Sequence, residues 1–186
     1  MIELKGLRAG YHGAEILRGI DLTFAPGKVT VICGPNGCGK STLLKAALGM
    51  IPTTGGEVYI DGDGLSTLTR REIAQRAAYM PQDHGVPSIT VRRMALHGRF
   101  PYLSYPRRYA KTDYEAAERA LERADALSIA DKSLPELSGG QRQRAYLAMA
   151  LAQETTSVLM DEPTAFLDIP HQLAVMDTAR SLAAEG

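Results

Sequence analysis

An α/β fold is the architecture this sequence predicts: a mostly parallel core sheet, an antiparallel β-layer and a helical insertion. Three observations point there. Residues 2–33 carry short β-branched and apolar runs between glycine and proline breaks, the pattern of strands in a β-layer. Across 28–45 an apolar run, a glycine-rich loop and a helix-compatible stretch follow one another. The final third then alternates helix, strand and helix over 141–153, 157–160 and about 170–184, as a parallel sheet requires.

In chain order, Ile2-Glu3-Leu4 and Ile20–Phe24 read as strands, punctuated by Gly10, Gly13 and Pro26-Gly27. Val29, Val31 and Ile32 make the next strand, which stops at Gly34. A helix over Ser41–Met50 is expected to end at Ile51-Pro52, and Gly55-Gly56 to turn the chain into a strand over Glu57–Ile60. Asp61-Gly62-Asp63-Gly64 reads as a turn, because the downstream spacing of a calcium loop is lacking. Thr69 with Glu72, and Thr112 with Glu115, have the spacing of capping boxes that open helices. The second of these helices, about Asp113–Leu127, places Tyr114, Ala117, Leu121, Ala124 and Leu127 on one apolar face. Between the two helices lie the strand Ala78–Met80 and a stretch rich in proline, glycine and aromatics, with a short helical piece around Thr90–Gly98. The whole, 1–186, reads as one domain, with residues from about 83 to 135 as a helical subdomain inserted in it.

Composition narrows the class. Lysine plus arginine and aspartate plus glutamate balance at 21 each, so no net field points to nucleic acid, and no such partner is expected. The pairs Arg70-Arg71, Arg92-Arg93 and Arg107-Arg108 read as solvated faces. No apolar run approaches the roughly 20 residues of a membrane span, and Met-Ile-Glu-Leu-Lys is not a charged-then-apolar leader, so a cytosolic chain is expected. Cys33 and Cys38 read as small packing residues, Cys38 with an oxidation liability.

Three motifs carry chemistry. The first is G-x-x-x-x-G-K-S, formed by Gly34, Pro35, Asn36, Gly37, Cys38, Gly39, Lys40 and Ser41 with Thr42 behind it, between a strand and a helix: a Walker A phosphate loop. Its glycines let backbone N–H groups wrap a polyphosphate, Lys40 supplies a full positive charge, and Ser41 offers an oxygen to Mg²⁺. The second is Val158-Leu159-Met160-Asp161-Glu162, an apolar strand that delivers two carboxylates at its C-terminal end, where open α/β sheets bind ligands. In this Walker B reading Asp161 holds Mg²⁺ and Glu162 polarises the water that attacks the γ-phosphorus. The third is Leu137-Ser138-Gly139-Gly140-Gln141, a second anion site built from free N–H groups, a hydroxyl and a helix N-terminus.

Leu-Ser-Gly-Gly-Gln, about 20 residues before the Walker B strand, resembles the signature of ATP-binding-cassette (ABC) ATPases, and the likeness covers essentially the whole chain. It implies a P-loop NTPase fold of the ABC ATPase type with a RecA-like core, and ATP and Mg²⁺ as cofactors. It further implies that Tyr11, 29 residues before Lys40, stacks on adenine, and that Gln82 senses Mg²⁺ and γ-phosphate. Leu167-Asp168 would be the loop after Walker B, with Ala165-Phe166 ahead of it where relatives carry a small pair. In such a family two cassettes bind head to tail, so Ser138 and Gly140 of one copy close on nucleotide held by the other. The segment Ile89–Tyr102, Arg142–Ala145 and Leu167–Gln172 are similar to importer ATPases for ferric siderophores, heme and cobalamin. That likeness implies transmembrane permease subunits as partners, Phe100, Tyr102 and Tyr105 facing them, and a peripheral position on the cytoplasmic face of the plasma membrane.

The family also carries a histidine some 30 residues beyond the Walker B glutamate, at the end of a further strand between the Walker A and Walker B strands. Here Gly186 comes 24 residues after Glu162, and His12, His84, His97 and His171 do not match that place. The expectation is a cassette truncated at its C-terminus, open in the middle of its sheet and poor at turnover.

Overall fold

The computed structural model describes residues 1–82, 85–165 and 167–185. The expected start of the insertion at Asp83, together with His84 and Phe166, lies outside the described residues. Strands β1 (Ile2–Tyr11), β2 (Ala14–Phe24), β3 (Thr53–Ile60) and β4 (Asp63–Gly64) form an antiparallel sheet in the order β2-β1-β3-β4. Strands β5 (Ala77–Met80) and β6 (Ser157–Met160) pair in parallel. The helices are α1 (Lys40–Ala47), α2 (Arg70–Arg76), α3 (Val91–His97), α4 (Lys111–Arg123), α5 (Gly139–Ala152) and α6 (Ile169–Glu185).

In β1 the buried residues are Ile2 and Leu4, then Leu7 and Ala9, so the inward face changes parity midway. A change of parity flips a strand's faces unless a bulge absorbs it. The register with β2 shifts between Leu4 and Leu7, and Gly6 sits there with φ +55°. Gly56 of β3 lies against this bulge, where an added Cβ would meet the Gly6 carbonyl oxygen at 2.3 Å. Gly55-Gly56 is therefore part of β3 and not the turn its composition suggests.

The run Val29–Ile32 is assigned to no strand. It finds no ladder partner among the described residues, and Val29 and Val31 are 42% and 62% exposed. A groove of about 430 Å³ is lined by residues 28–32 on one side and by β6 on the other. Helix α1 ends at Ala47, with Gly49 at φ +64° closing it, ahead of the expected stop at Ile51-Pro52.

Two apolar clusters flank the parallel pair. One joins the antiparallel sheet to α1 through Ile2, Leu4, Leu7, Leu43 and Ile60, and includes Ala77 and Leu159. The other packs α3, α4 and α5 together through Val91, Leu121, Leu134 and Leu147, and includes Met80. Both carboxylate-bearing and glutamine-bearing strand ends are thus held between two packed layers.

The Thr69 capping box is present: Glu72 N–H donates to Thr69 Oγ1 at 3.2 Å, and Thr69 N–H to Glu72 Oε2 at 2.7 Å. Hydrogen bonds from Thr69 hold the Glu72 carboxyl below its ordinary range. The cap's contribution is therefore present above the unfolded glutamate's titration and is lost as pH falls through the lower folded value. Thr69→Ala is expected to cost about 1 kcal/mol at neutral pH, read by urea denaturation. At α4 the expected box is displaced. The helix opens at Lys111, and Asp113 Oδ2 accepts from Ala110 N–H at 2.8 Å, which leaves Thr112 and Glu115 inside the helix. The buried stripe of α4 is Asp113, Ala116, Ala117, Ala120 and Leu121, whereas Tyr114 and Leu127 are exposed.

Candidate functional site

The phosphate loop begins as an exposed stretch and ends in α1. Gly37 and Gly39 have φ +79° and +102°, a conformation that admits glycine at little cost. At Gly39 a Cβ would also meet Ile16 of the β1–β2 hairpin at 2.9 Å, and at Gly34 one would meet Cys38 Sγ at 2.8 Å. No side chain caps α1, so its first-turn N–H groups remain open to an anion. Lys40 Nζ donates to the carbonyl oxygens of Gly34 at 2.9 Å and Pro35 at 3.0 Å, folded over the loop it is expected to serve. Ser41 is half-buried, while Thr42 is buried beneath it.

The two carboxylates leave β6 side by side. Asp161 is 4% exposed. Its N–H donates to the Met80 carbonyl at 2.8 Å, and its Oδ2 accepts from the Tyr79 hydroxyl at 3.1 Å. Burial first, and then the Asp161 charge, pushes the Tyr79 phenol far above the ordinary tyrosine range, which keeps it a donor at neutral pH. Glu162 sits at φ +49°, a left-handed conformation that costs about 1 kcal/mol in a residue with a side chain. Its Oε2 accepts from Gln82 Nε2 at 2.6 Å, although the two residues are 80 apart in sequence. Lys40, Asp161 and Glu162 all line the groove beside β6.

The signature residues stand elsewhere. Ser138 caps α5: its Oγ accepts from Gln141 N–H at 3.3 Å, and Gln141 Oε1 accepts from Ser138 N–H at 3.1 Å. Ser138 and Gly139 are exposed, and Cβ space at Gly139 is empty out to 4 Å. None of Ser138–Gln141 lines the groove that holds Lys40 and the carboxylates. Tyr11, opposite Ala14 at the tip of the β1–β2 hairpin, is 39% exposed. Asp168 precedes α6 and accepts from His171 N–H at 3.2 Å. The His171 ring pairs with the same carboxylate, which is thereby held below the ordinary range.

Several contacts of the site are absent from the sequence reading. Tyr79 on Asp161 is one. Gln143 Nε2 donates to the Pro163 carbonyl at 2.6 Å, and the Tyr146 hydroxyl donates to the Gly85 carbonyl. Helix α5, capped by the signature serine, therefore touches the loop after Glu162 and the segment after Gln82. The helical spacing of Gln143 and Tyr146, three apart on one face, was the available signal.

The family described as ABC transporter matches residues 17–165 of this chain. The chain is 42% identical over 177 residues to the probable siderophore transport system ATP-binding protein YusV of Bacillus subtilis (strain 168), covering 95% of this chain and 64% of that protein. It is 41% identical over 182 residues to the hemin import ATP-binding protein HmuV of Rhodococcus jostii (strain RHA1), covering 97% and 62% respectively. Thus it spans a little under two thirds of the length of these relatives. Among solved structures it is similar to the dimeric post-hydrolysis state of the ATP-binding cassette MJ0796 bound to ADP and phosphate. There the TM-score is 0.85 at 27% identity, over 100% of this chain and 84% of the other.

Proposed function

The chain belongs to the ABC transporter family, and from that premise we propose that it is the ATP-binding and ATP-hydrolysing subunit of an importer for an iron–siderophore, heme or cobalamin. The observation that carries the ATPase reading is the convergence of Lys40, Asp161 and Glu162 on one groove, with Gln82 hydrogen-bonded to Glu162 at 2.6 Å. The cargo class rests on the siderophore and hemin relatives.

In this reading the loop amides of 34–39 and the first turn of α1 bind the phosphates, and Lys40 exchanges its two carbonyl partners for phosphate oxygens. Glu162 orients the attacking water and draws its proton, while Gln82 sets the glutamate's position. Tyr11 lies against the adenine. Asp161 is a buried carboxylate with no ion pair among the described residues, and with the Ser41 hydroxyl and the Gln82 amide oxygen it would supply the hard oxygen ligands that Mg²⁺ takes. When bound, Mg²⁺ supplies neutralisation of the charge on the transferring phosphoryl group.

The exposed Ser138 and Gly139, with half-buried Gly140 turned toward Leu167 and His171 and with Gln141 and Asp168 beside them, would meet nucleotide bound to a second copy. Residues 83–135, within the single cassette 1–186, would form the permease-facing subdomain. No helix of the described residues is long and apolar enough to cross a membrane. In the importer reading the transmembrane path would belong to permease subunits, with this chain on their cytoplasmic face.

Lys40→Ala is expected to weaken binding of a fluorescent ATP analogue to residues 1–186 at least about tenfold, the size of one charge-assisted hydrogen bond. Unchanged affinity would remove the phosphate-loop assignment. Co-purification with an integral-membrane permease tests the importer half, and recovery free of any such partner on co-expression would remove it.

A further inference from the structure

Asp161 has its backbone and its carboxylate fixed by the same neighbouring strand. The parallel register sets Tyr79 opposite Leu159 and Met80 opposite Met160. Met80 then takes the Asp161 N–H at its carbonyl, and the longer Tyr79 side chain reaches past the end of β6 to Asp161 Oδ2 at 3.1 Å. The Tyr79 ring packs against the apolar cluster of the antiparallel sheet and α1, so its hydroxyl is delivered from a fixed base. Among the described residues it is the side chain that hydrogen-bonds the Asp161 carboxylate, and Oδ1 has no side-chain partner.

We propose that Tyr79 is a positioning residue: by holding Oδ2 it fixes the Asp161 carboxylate with Oδ1 turned free for the divalent cation that accompanies the nucleotide. The inference rests on the ATPase reading above and adds to it a residue that none of the three motifs contains. Without the hydroxyl, a buried carboxylate on two freely rotating bonds must be ordered by the cation itself, at the expense of cation affinity. A residue that merely fills space would leave the cation's contribution untouched.

The test is the affinity of the chain for a fluorescent ATP analogue with Mg²⁺ and with EDTA. In the native chain Mg²⁺ is expected to tighten binding. In Tyr79→Phe the affinity in EDTA stays within about twofold, while the enhancement by Mg²⁺ falls about tenfold, the scale of one hydrogen bond to a charged group. Tyr79→Leu, a second way of removing the hydroxyl, is expected to lose the same enhancement. In an Asp161→Asn background, Tyr79→Phe should have no further effect on the ratio. If the ratio is unchanged in both hydroxyl-free variants, or the two affinities fall together, or the effect persists in the Asp161→Asn background, the positioning role is overturned. A native chain that binds the analogue without any Mg²⁺ enhancement overturns the cation reading itself, and this inference with it.

Discussion

Replacing Glu162 with glutamine is expected to lower ATP turnover at least about a hundredfold, the usual worth of a general base, while nucleotide affinity stays within about twofold. The substitution keeps the side chain's size and an oxygen that still accepts from Gln82 Nε2, now 2.6 Å away. It removes only the negative charge and the basicity. Phosphate release by the chain assembled with the proposed permease and second copy, beside equilibrium binding of the same nucleotide, separates the two effects. Turnover that survives would return Glu162 to the role of a loop anchor. Equal loss of binding would mean that the carboxylate acts on the bound state as a whole and not on the transition state.

The second large effect is on stability and lies away from the nucleotide. Arg99 and Asp113 pair at 3.1 Å with side chains 10% and 9% exposed. Arg99 Nη1 also donates to the Ala152 carbonyl and to Glu154 Oε2, both at 2.8 Å, and the guanidinium lies 4.1 Å from the Tyr102 ring centroid. Arg99→Met leaves Asp113 buried without its cation and strands the Ala152 carbonyl. Loss of about 3–5 kcal/mol is expected, read by urea denaturation, because an uncompensated buried charge costs more than the pair contributes. Lys111→Met, which removes the exposed partner of Glu115, serves as the control and should stay within about 0.5 kcal/mol. The same region ties the end of α5 to the segment after α3. The Tyr102 hydroxyl donates to the Gln153 carbonyl at 2.7 Å, and Arg71 and Gln75 of α2 donate to the Pro101 carbonyl at 2.8 and 2.9 Å. A loosened Arg99 should therefore also loosen the stretch 100–102 that carries Phe100, one of the exposed aromatics.

Much of this was legible from residues alone. The phosphate loop, the carboxylate pair and the capped signature helix are local devices. Their form follows from backbone geometry over fewer than about ten residues, so spacing and residue type suffice to predict it. The α5 and α6 helices were legible for the same reason, and the strand at Ser157–Met160 matches its expected bounds because Ala77–Met80 pairs with it. The Val29–Ile32 run shows the limit. Its composition is that of a strand, but strandedness is a property of a pair, and no neighbour stands beside it among the described residues.

The contacts that no local pattern marks join partners far apart in the chain. Tyr79 and Asp161 are separated by 82 residues, and Arg99 and Ala152 by 53. Helix α4 shows how such a contact overrides local preference. Thr112 and Glu115 have the spacing of a cap, yet Asp113 takes the capping place, because its carboxylate meets both Ala110 N–H and buried Arg99. That pairing rotates the buried stripe toward Asp113 and leaves Tyr114 in solvent. Residue type and spacing were enough to name the groups proposed to do chemistry. Packing and strand register, which exist only once distant segments meet, settled which side chains hold those groups in place.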